Sequence, residues 1–208
     1  MAIEALHFDL GKVLVDFDFE RGIQRFSARS RLSRREFEQV VFNQDWIRSY
    51  ESGAISTADY HRYLRENGEL QMNLEEFHEA WGSVFLPGLI VPERLLANLR
   101  TRYPLVLVSN TNESHAGYIQ REYSVFDYFD HKIFSHEVGS LKPDRKIYDA
   151  AIAASGKPPE ALFFTDDRPE NIESALKLGI RAHQFRSVSE LVRTLQDHGV
   201  GVGDFVPA

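Results

Sequence analysis

The chain has 208 residues, 43% hydrophobic and 26% charged, with no cysteine and a formal net charge of −7. That length buries enough surface to hold a core without staples. The missing thiols exclude disulfides, thiolate metal sites and cysteine nucleophiles, and the acidic balance excludes a general affinity for nucleic acid or anionic membrane.

The first residues, Met1-Ala2-Ile3-Glu4, lack the basic start and long apolar run of a signal peptide. No stretch approaches the roughly 18 apolar residues of a membrane span. With the absence of cysteine this fits a cytoplasmic protein. Ala5 to Phe8 reads as a short apolar strand that ends in Asp9 and a Leu10-Gly11 turn. In a parallel α/β sheet, ligands bind beyond the carboxyl ends of the strands, so a carboxylate at such a tip is rigidly aimed at a ligand.

The next strand, Leu105-Val106-Leu107-Val108, lies too far along the chain for a single crossover. The intervening residues 17–87 are expected to form an inserted helical cap, and residues 1–16 and 88–208 the core. Within the cap, Ser33-Arg34-Arg35-Glu36 is a capping box opening a helix toward Asn43. Ser56-Thr57-Ala58-Asp59 opens another, ended by Asn67-Gly68. A third starts at Asn73 and carries Phe77, Ala80, Trp81, Val84 and Phe85 at helical spacing, as the cap's own core. Between the first two helices, residues 45–56 mix aromatics, charges and glycine and read as a recognition loop, with Trp46, Arg48, Tyr50 and Glu51 facing the pocket.

From Pro87 the core pattern resumes. A helix is expected from Pro92 to Arg100, then the strand ending in Ser109-Asn110, then a helix from Ser114 to about Glu122. The strands His131 to Phe134, Ala161 to Phe164 and Ile180 to Phe185 follow at βαβ spacing, separated by helices from Pro143 and from Pro169. Ser187-Val188-Ser189-Glu190 caps a last helix, and the tail from Val200 to Ala208 reads as loosely held. The fold expected is α/β: a Rossmann-like parallel sheet in three layers, with the helical cap inserted.

Each later strand tip carries polar residues. Ser109 and the Asn110 amide can grip a phosphate oxygen, and Lys142, just before Pro143, aims an ammonium at the same sheet edge. Asp166 and Asp167 close the fourth strand, where adjacent carboxylates repel unless a cation sits nearby. Oxygen ligands from Asp9 and Asp167 are the hard set that Mg²⁺ takes.

In this order, Phe8-Asp9-Leu10-Gly11-Lys12-Val13-Leu14, Ser109-Asn110, Lys142-Pro143 and Asp166-Asp167 with Asn171 resemble the four motifs of the haloacid dehalogenase-like hydrolases. The resemblance spans nearly the whole chain. Asp-Leu-Gly followed by Glu51-Ser52-Gly53-Ala54-Ile55-Ser56 looks most like the bacterial branch that acts on α-glucose 1-phosphate. It implies a three-layer fold of that family and a Mg²⁺-dependent phosphatase for a small phosphate ester. Asp9 would attack phosphorus and become an aspartyl-phosphate. Mg²⁺ would be held by Asp9, the Gly11 carbonyl and Asp167, with Asp166 beside them. Ser109, Asn110 and Lys142 would neutralise the phosphate, Lys142 also serving catalysis, and Glu51 would face the substrate. Two alternatives are a metal-independent dehalogenase, which uses the same nucleophilic aspartate but against which the Asp166-Asp167 pair speaks, and a phosphate-binding relative without turnover. One departure stands out. Most phosphatases of the family place a second aspartate, the general acid and base, two residues after the nucleophile, where this chain has Gly11. Asp16, Asp18, His115 and Glu51 are the conceivable substitutes.

Overall fold

The computed structural model describes residues 1–206; Pro207 and Ala208 lie outside the described part. Five parallel strands run in the order β3-β2-β1-β4-β5: β1 (Ala5–Phe8), β2 (Leu105–Ser109), β3 (His131–Phe134), β4 (Leu162–Asp166) and β5 (Arg181–Gln184). The chain winds outward in one direction from β1 to β3, then returns to β4 on the other side. The strand order therefore reverses between β1 and β4, which is where such sheets bind ligands.

Strand alternation sorts the side chains into two layers. Leu6, Phe8, Leu105, Leu107 and Phe163 face one side. There they meet Leu95, Leu96 and Leu99 of α6 (Glu93–Arg100), Ile119 of α7 (Glu113–Glu122), and Leu191 and Leu195 of α11 (Val188–Asp197). Ala5, Val106, Val108, Leu162 and Phe164 face the other side. They pack on Ile147 and Tyr148 of α9 (Arg145–Ser155) and Ile172 and Ala175 of α10 (Pro169–Lys177). Burial on both faces explains why β1, β2 and β4 are almost wholly apolar runs. Edge strand β3, followed at once by the short helix α8 (Ser135–Val138), instead exposes His131 and Lys132, which discourages pairing with another chain.

Between β1 and β2 come α1 (Phe19–Ser27), α2 (Arg34–Val41), α3 (Gln44–Glu51), α4 (Thr57–Asn67) and α5 (Leu74–Gly82). They enclose a separate aromatic core in which Phe26, Phe37, Tyr60, Phe77 and Trp81 are essentially fully buried. Ser33, Ser56 and Asn73 each make the reciprocal capping box that starts α2, α4 and α5.

Three expectations need correction. Most of the recognition loop is helix α3, because Asn43 accepts from the Trp46 amide and so caps it, and Asp45 sits in its positive first turn. Helix α5 stops at Gly82, where a Cβ would collide with the Tyr118 ring. Val84 and Phe85 lie beyond it and join the core beneath the sheet rather than that of the helical insert. The start of the tail is docked: Val200 and Val202 are buried, and Asp204 meets Arg94 at 2.6 Å and Asn98 at 3.2 Å. No helix among the described residues is long and apolar enough to cross a membrane.

Candidate active site

Parallel register sets the tips of β1, β2 and β4 side by side, since Phe8 pairs with both Leu107 and Thr165. Asp9 follows β1 directly, and its amide donates to the Thr165 carbonyl at 2.9 Å. Lys142 reaches the same point from the loop before α9. Its ammonium donates at 2.7 Å to Asp9 Oδ1, at 2.6 Å to Asp166 Oδ2 and at 2.8 Å to the Val108 carbonyl. Those contacts use all three of its protons and fix its position. Asn110 ties the two loops together, donating to the Lys142 carbonyl at 2.9 Å while the Lys142 amide donates to its Oδ1 at 2.7 Å.

Asp166 is fully buried, and its carboxylate is already well supplied. Asn171 Nδ2 donates to both oxygens at 2.9 and 3.0 Å, and the Arg168 amide donates to Oδ1 at 2.9 Å. Half-buried Asp167 faces the cavity instead. One carboxylate oxygen each from Asp9, Asp166 and Asp167 lies within 4.8 Å of the others. Since Asp166 spends its oxygens on Lys142, Asn171 and the backbone, Asp9 and Asp167 are the pair with free capacity for a cation.

The electrostatics fit such an ion. Burial pushes the Asp9 carboxyl up to about 7; Lys142 opposes the shift and Asp166 adds to it. Asp167 is raised too, by burial and by neighbouring Asp166. Burial alone would lower the Lys142 ammonium, but Asp166 and Asp9 outweigh it and hold the charge in place. A hard divalent cation between Asp9 and Asp167 would relieve both raised carboxyls at once. These donors, all oxygen, match Mg²⁺ chemistry, and the residues present fit the ion.

The cavity above this cluster has a volume of about 210 Å³. Its floor includes Asp9, Ser109, Asn110, Lys142 and Asp167, while Glu51 reaches in from the end of α3. Gly11 lies against Phe17, whose ring would be 2.8 Å from a Cβ at that position. Phe17 thus fills the space where a side chain two residues past Asp9 would stand.

Of the four α3 residues expected to face the pocket, only Glu51 does. Trp46 stacks on Tyr63 with ring centroids 4.0 Å apart, Arg48 pairs with Asp144 at 3.3 Å, and Tyr50 is buried beside Thr57. Each helical turn presents only part of its circumference, so four nearby residues cannot share one face. Unanticipated were the apolar wall of Phe17, Phe19, Val84 and Phe85, and Arg168 at the rim. The alternation in Phe17-Asp18-Phe19 was the available signal for the first two. Val84 and Phe85 were hidden by the overextended helix.

A family model described as haloacid dehalogenase-like hydrolase matches residues 3–179. The chain is similar to a D-ribitol-5-phosphate phosphatase from Bacteroides thetaiotaomicron, 28% identical over 189 residues that cover 88% of this chain and 91% of the relative. It is also similar to the pyrimidine 5'-nucleotidase YjjG of Escherichia coli, at 25% identity, with 84% and 82% covered. Among solved structures, the HAD family enzyme bt-2542 of Bacteroides thetaiotaomicron, in complex with magnesium and inorganic phosphate, superimposes with a TM-score of 0.79. That pair is 28% identical, with 90% of this chain and 96% of the other covered.

Proposed function

The chain belongs to the haloacid dehalogenase-like hydrolases, and from that membership we propose a Mg²⁺-dependent phosphatase acting on a small phosphorylated metabolite through a phosphorylated Asp9. The phosphatase names of its relatives support the reaction class. The observation that carries the reading is the buried Asp9–Lys142–Asp166 array beside Asp167, at the point where strand order reverses.

A phosphate dianion cannot approach a carboxylate until fixed positive charge cancels the repulsion. Lys142 supplies one such charge, 2.7 Å from Asp9 Oδ1, and Asp166 holds that ammonium in place. A Mg²⁺ ion held by Asp9, Asp167 and the Gly11 carbonyl would supply the rest, by polarising the phosphoryl group. Ser109 and the Asn110 amide take the remaining phosphate oxygens. Asp9 then forms a bond to phosphorus as the ester oxygen leaves, and water later cleaves the aspartyl-phosphate. Residues 17–87 act as a cap over a core of 1–16 and 88–208, and Glu51 is the cap residue that reaches the substrate.

A sugar or sugar-alcohol phosphate is the proposed substrate, α-glucose 1-phosphate among the candidates. The test is phosphate release across a panel holding α-glucose 1-phosphate, ribitol 5-phosphate, a pyrimidine nucleotide and p-nitrophenyl phosphate, with and without EDTA. Activity that requires Mg²⁺ and vanishes in Asp9→Asn is expected. Full activity in EDTA would turn the reading toward the metal-independent dehalogenase, and tight phosphate binding without any turnover would turn it toward a non-catalytic relative.

A further inference from the structure

The missing side chain at position 11 leaves a chemical gap. An alkoxide leaving group needs a proton, and the water that attacks the phosphorylated aspartate must lose one. Resting on the phosphatase reading above, we propose that Glu51, from the end of α3, donates the proton to the leaving oxygen and accepts one from the hydrolytic water.

Geometry removes the competing residues. Asp16 is bound to Lys12 at 2.5 Å and accepts from the Phe17 amide at 2.8 Å, and this pairing lowers its carboxyl, leaving it no proton to give. Asp18 caps α1 by accepting from the Glu20 amide at 2.9 Å and stands outside the cavity lining. His115 lines the cavity, but Nε2 is 3.2 Å from the Trp81 carbonyl and Nδ1 is 3.4 Å from Asn112 Nδ2. Burial drives it down to about 3, so it stays neutral with its one N–H directed at Trp81. Lys142 has all three protons engaged.

Glu51 differs from all of these. It lines the cavity that holds Asp9, and its carboxyl has no hydrogen bond or ion pair among the described residues. Its backbone, by contrast, is clamped to the core. The Ser135 hydroxyl lies 2.6 Å from the Glu51 carbonyl and accepts from the Thr111 amide at 2.9 Å, two residues past Ser109. Gly53, at φ +71°, packs directly on the His136 carbonyl, an approach that no side chain would permit. A free carboxyl on a fixed backbone is what a proton shuttle requires. Burial lifts it to about 7, against the pull of Arg168 and Arg48, so both protonation states are accessible near neutrality. The other charged groups around it are Asp9, Lys12, Lys142 and Asp167 in the cavity lining and Asp144, which pairs with Arg48; His136 flanks Gly53.

The steps balance. In the first, the Asp9 carboxylate bonds to phosphorus, the bond to the ester oxygen breaks with its electron pair, and the Glu51 proton moves to that oxygen, releasing the alcohol. In the second, water attacks phosphorus and gives a proton to the Glu51 carboxylate. The bond from phosphorus to Asp9 then breaks, releasing inorganic phosphate and restoring both side chains.

The test compares wild type with Glu51→Gln on p-nitrophenyl phosphate, phenyl phosphate and an alkyl or sugar phosphate in excess Mg²⁺. The loss in kcat/KM should grow with the basicity of the leaving group, reaching about 10²–10⁴-fold for the alkyl ester and far less for p-nitrophenyl phosphate. With p-nitrophenyl phosphate the variant should release a burst of nitrophenol, because the slowed second step lets phosphoenzyme accumulate. Glu51→Asp should recover part of the alkyl rate. A loss that is uniform across the series, or no loss, overturns the proposal while leaving the phosphatase intact. A wild type silent toward every ester sinks both.

Discussion

Replacing Lys142 with methionine keeps most of the side chain's volume and removes its charge. In the structure this lysine is 1% exposed, and it neutralises two carboxylates that are 12% and 0% exposed. Losing one member of a buried ionic group while its partners stay costs about 3–5 kcal/mol. For a chain of this size each kcal/mol moves the melting temperature by roughly 2–4 °C, so a fall of about 6–20 °C is expected. The measurement is urea and thermal unfolding by circular dichroism at pH 8 in EDTA, where no cation can take over the lysine's role. Combining Lys142→Met with Asp166→Asn removes one stranded carboxylate, so the double variant should lie above the sum of the singles by about 1–3 kcal/mol. If Lys142→Met melts within a degree or two of wild type, or the double variant is merely additive, the buried array does not have the energetics argued here.

Three further outcomes follow from the same geometry. Mg²⁺ at about a hundred times its dissociation constant should stabilise the wild type by about 2.7 kcal/mol. In Asp167→Asn that gain should nearly vanish at the same concentration, and an undiminished thermal shift would remove Asp167 from the ion site. The Glu51 carboxyl is protonated in both folded and unfolded chains below about pH 4.5 and ionised in both above about pH 7, with the burial penalty falling on the folded form. Glu51→Gln should therefore match wild-type stability at pH 4. Its advantage should grow between those values and approach about 3 kcal/mol at pH 8. A flat difference across pH, read from urea midpoints, would contradict the burial argument. Gly53→Ala forces a left-handed backbone on a residue with a Cβ, costing about 1–2 kcal/mol, and drives that atom into the His136 carbonyl. It should melt lower and also lose turnover through the displaced Glu51; normal turnover would show that the clamp does not position that residue.

What could be read from the chain, and what could not, divides by range. Asp9, Ser109 and Asp167 were recognisable because each sits at or just beyond an apolar strand, and register then converges those tips, while Lys142 was recognisable from its place before Pro143, in the loop that leads into the next helix. Asp167 was assigned to the ion from the sequence, but that Asp166 would anchor Lys142 and accept from Asn171 was not legible. Adjacent residues at a strand end point opposite ways, and only packing decides which one meets Lys142 and Asn171. Helix α3 was missed because its Trp, Ile and Tyr are poor helix formers. Its stability comes from Asn43 and from the stacking of Trp46 on Tyr63 and Tyr50 on Tyr60, contacts that only the folded insert creates.

Gly11 shows how one local substitution is tied to its surroundings. The Phe17 ring occupies the volume a longer side chain would need, and it in turn packs on Phe19, centroid to centroid at 5.0 Å, and on Phe85 at 6.4 Å. Lys12 lies 4.6 Å above the same ring and binds Asp16 and the Phe17 carbonyl. Restoring an aspartate at position 11 would therefore have to displace an aromatic wall held from several sides, and close-packed rings move only at the expense of their neighbours. The glycine and the phenylalanine act as one unit. Together they give the cavity an apolar side beside Asp9, and they leave proton transfer to a carboxyl that enters the cavity from the end of α3.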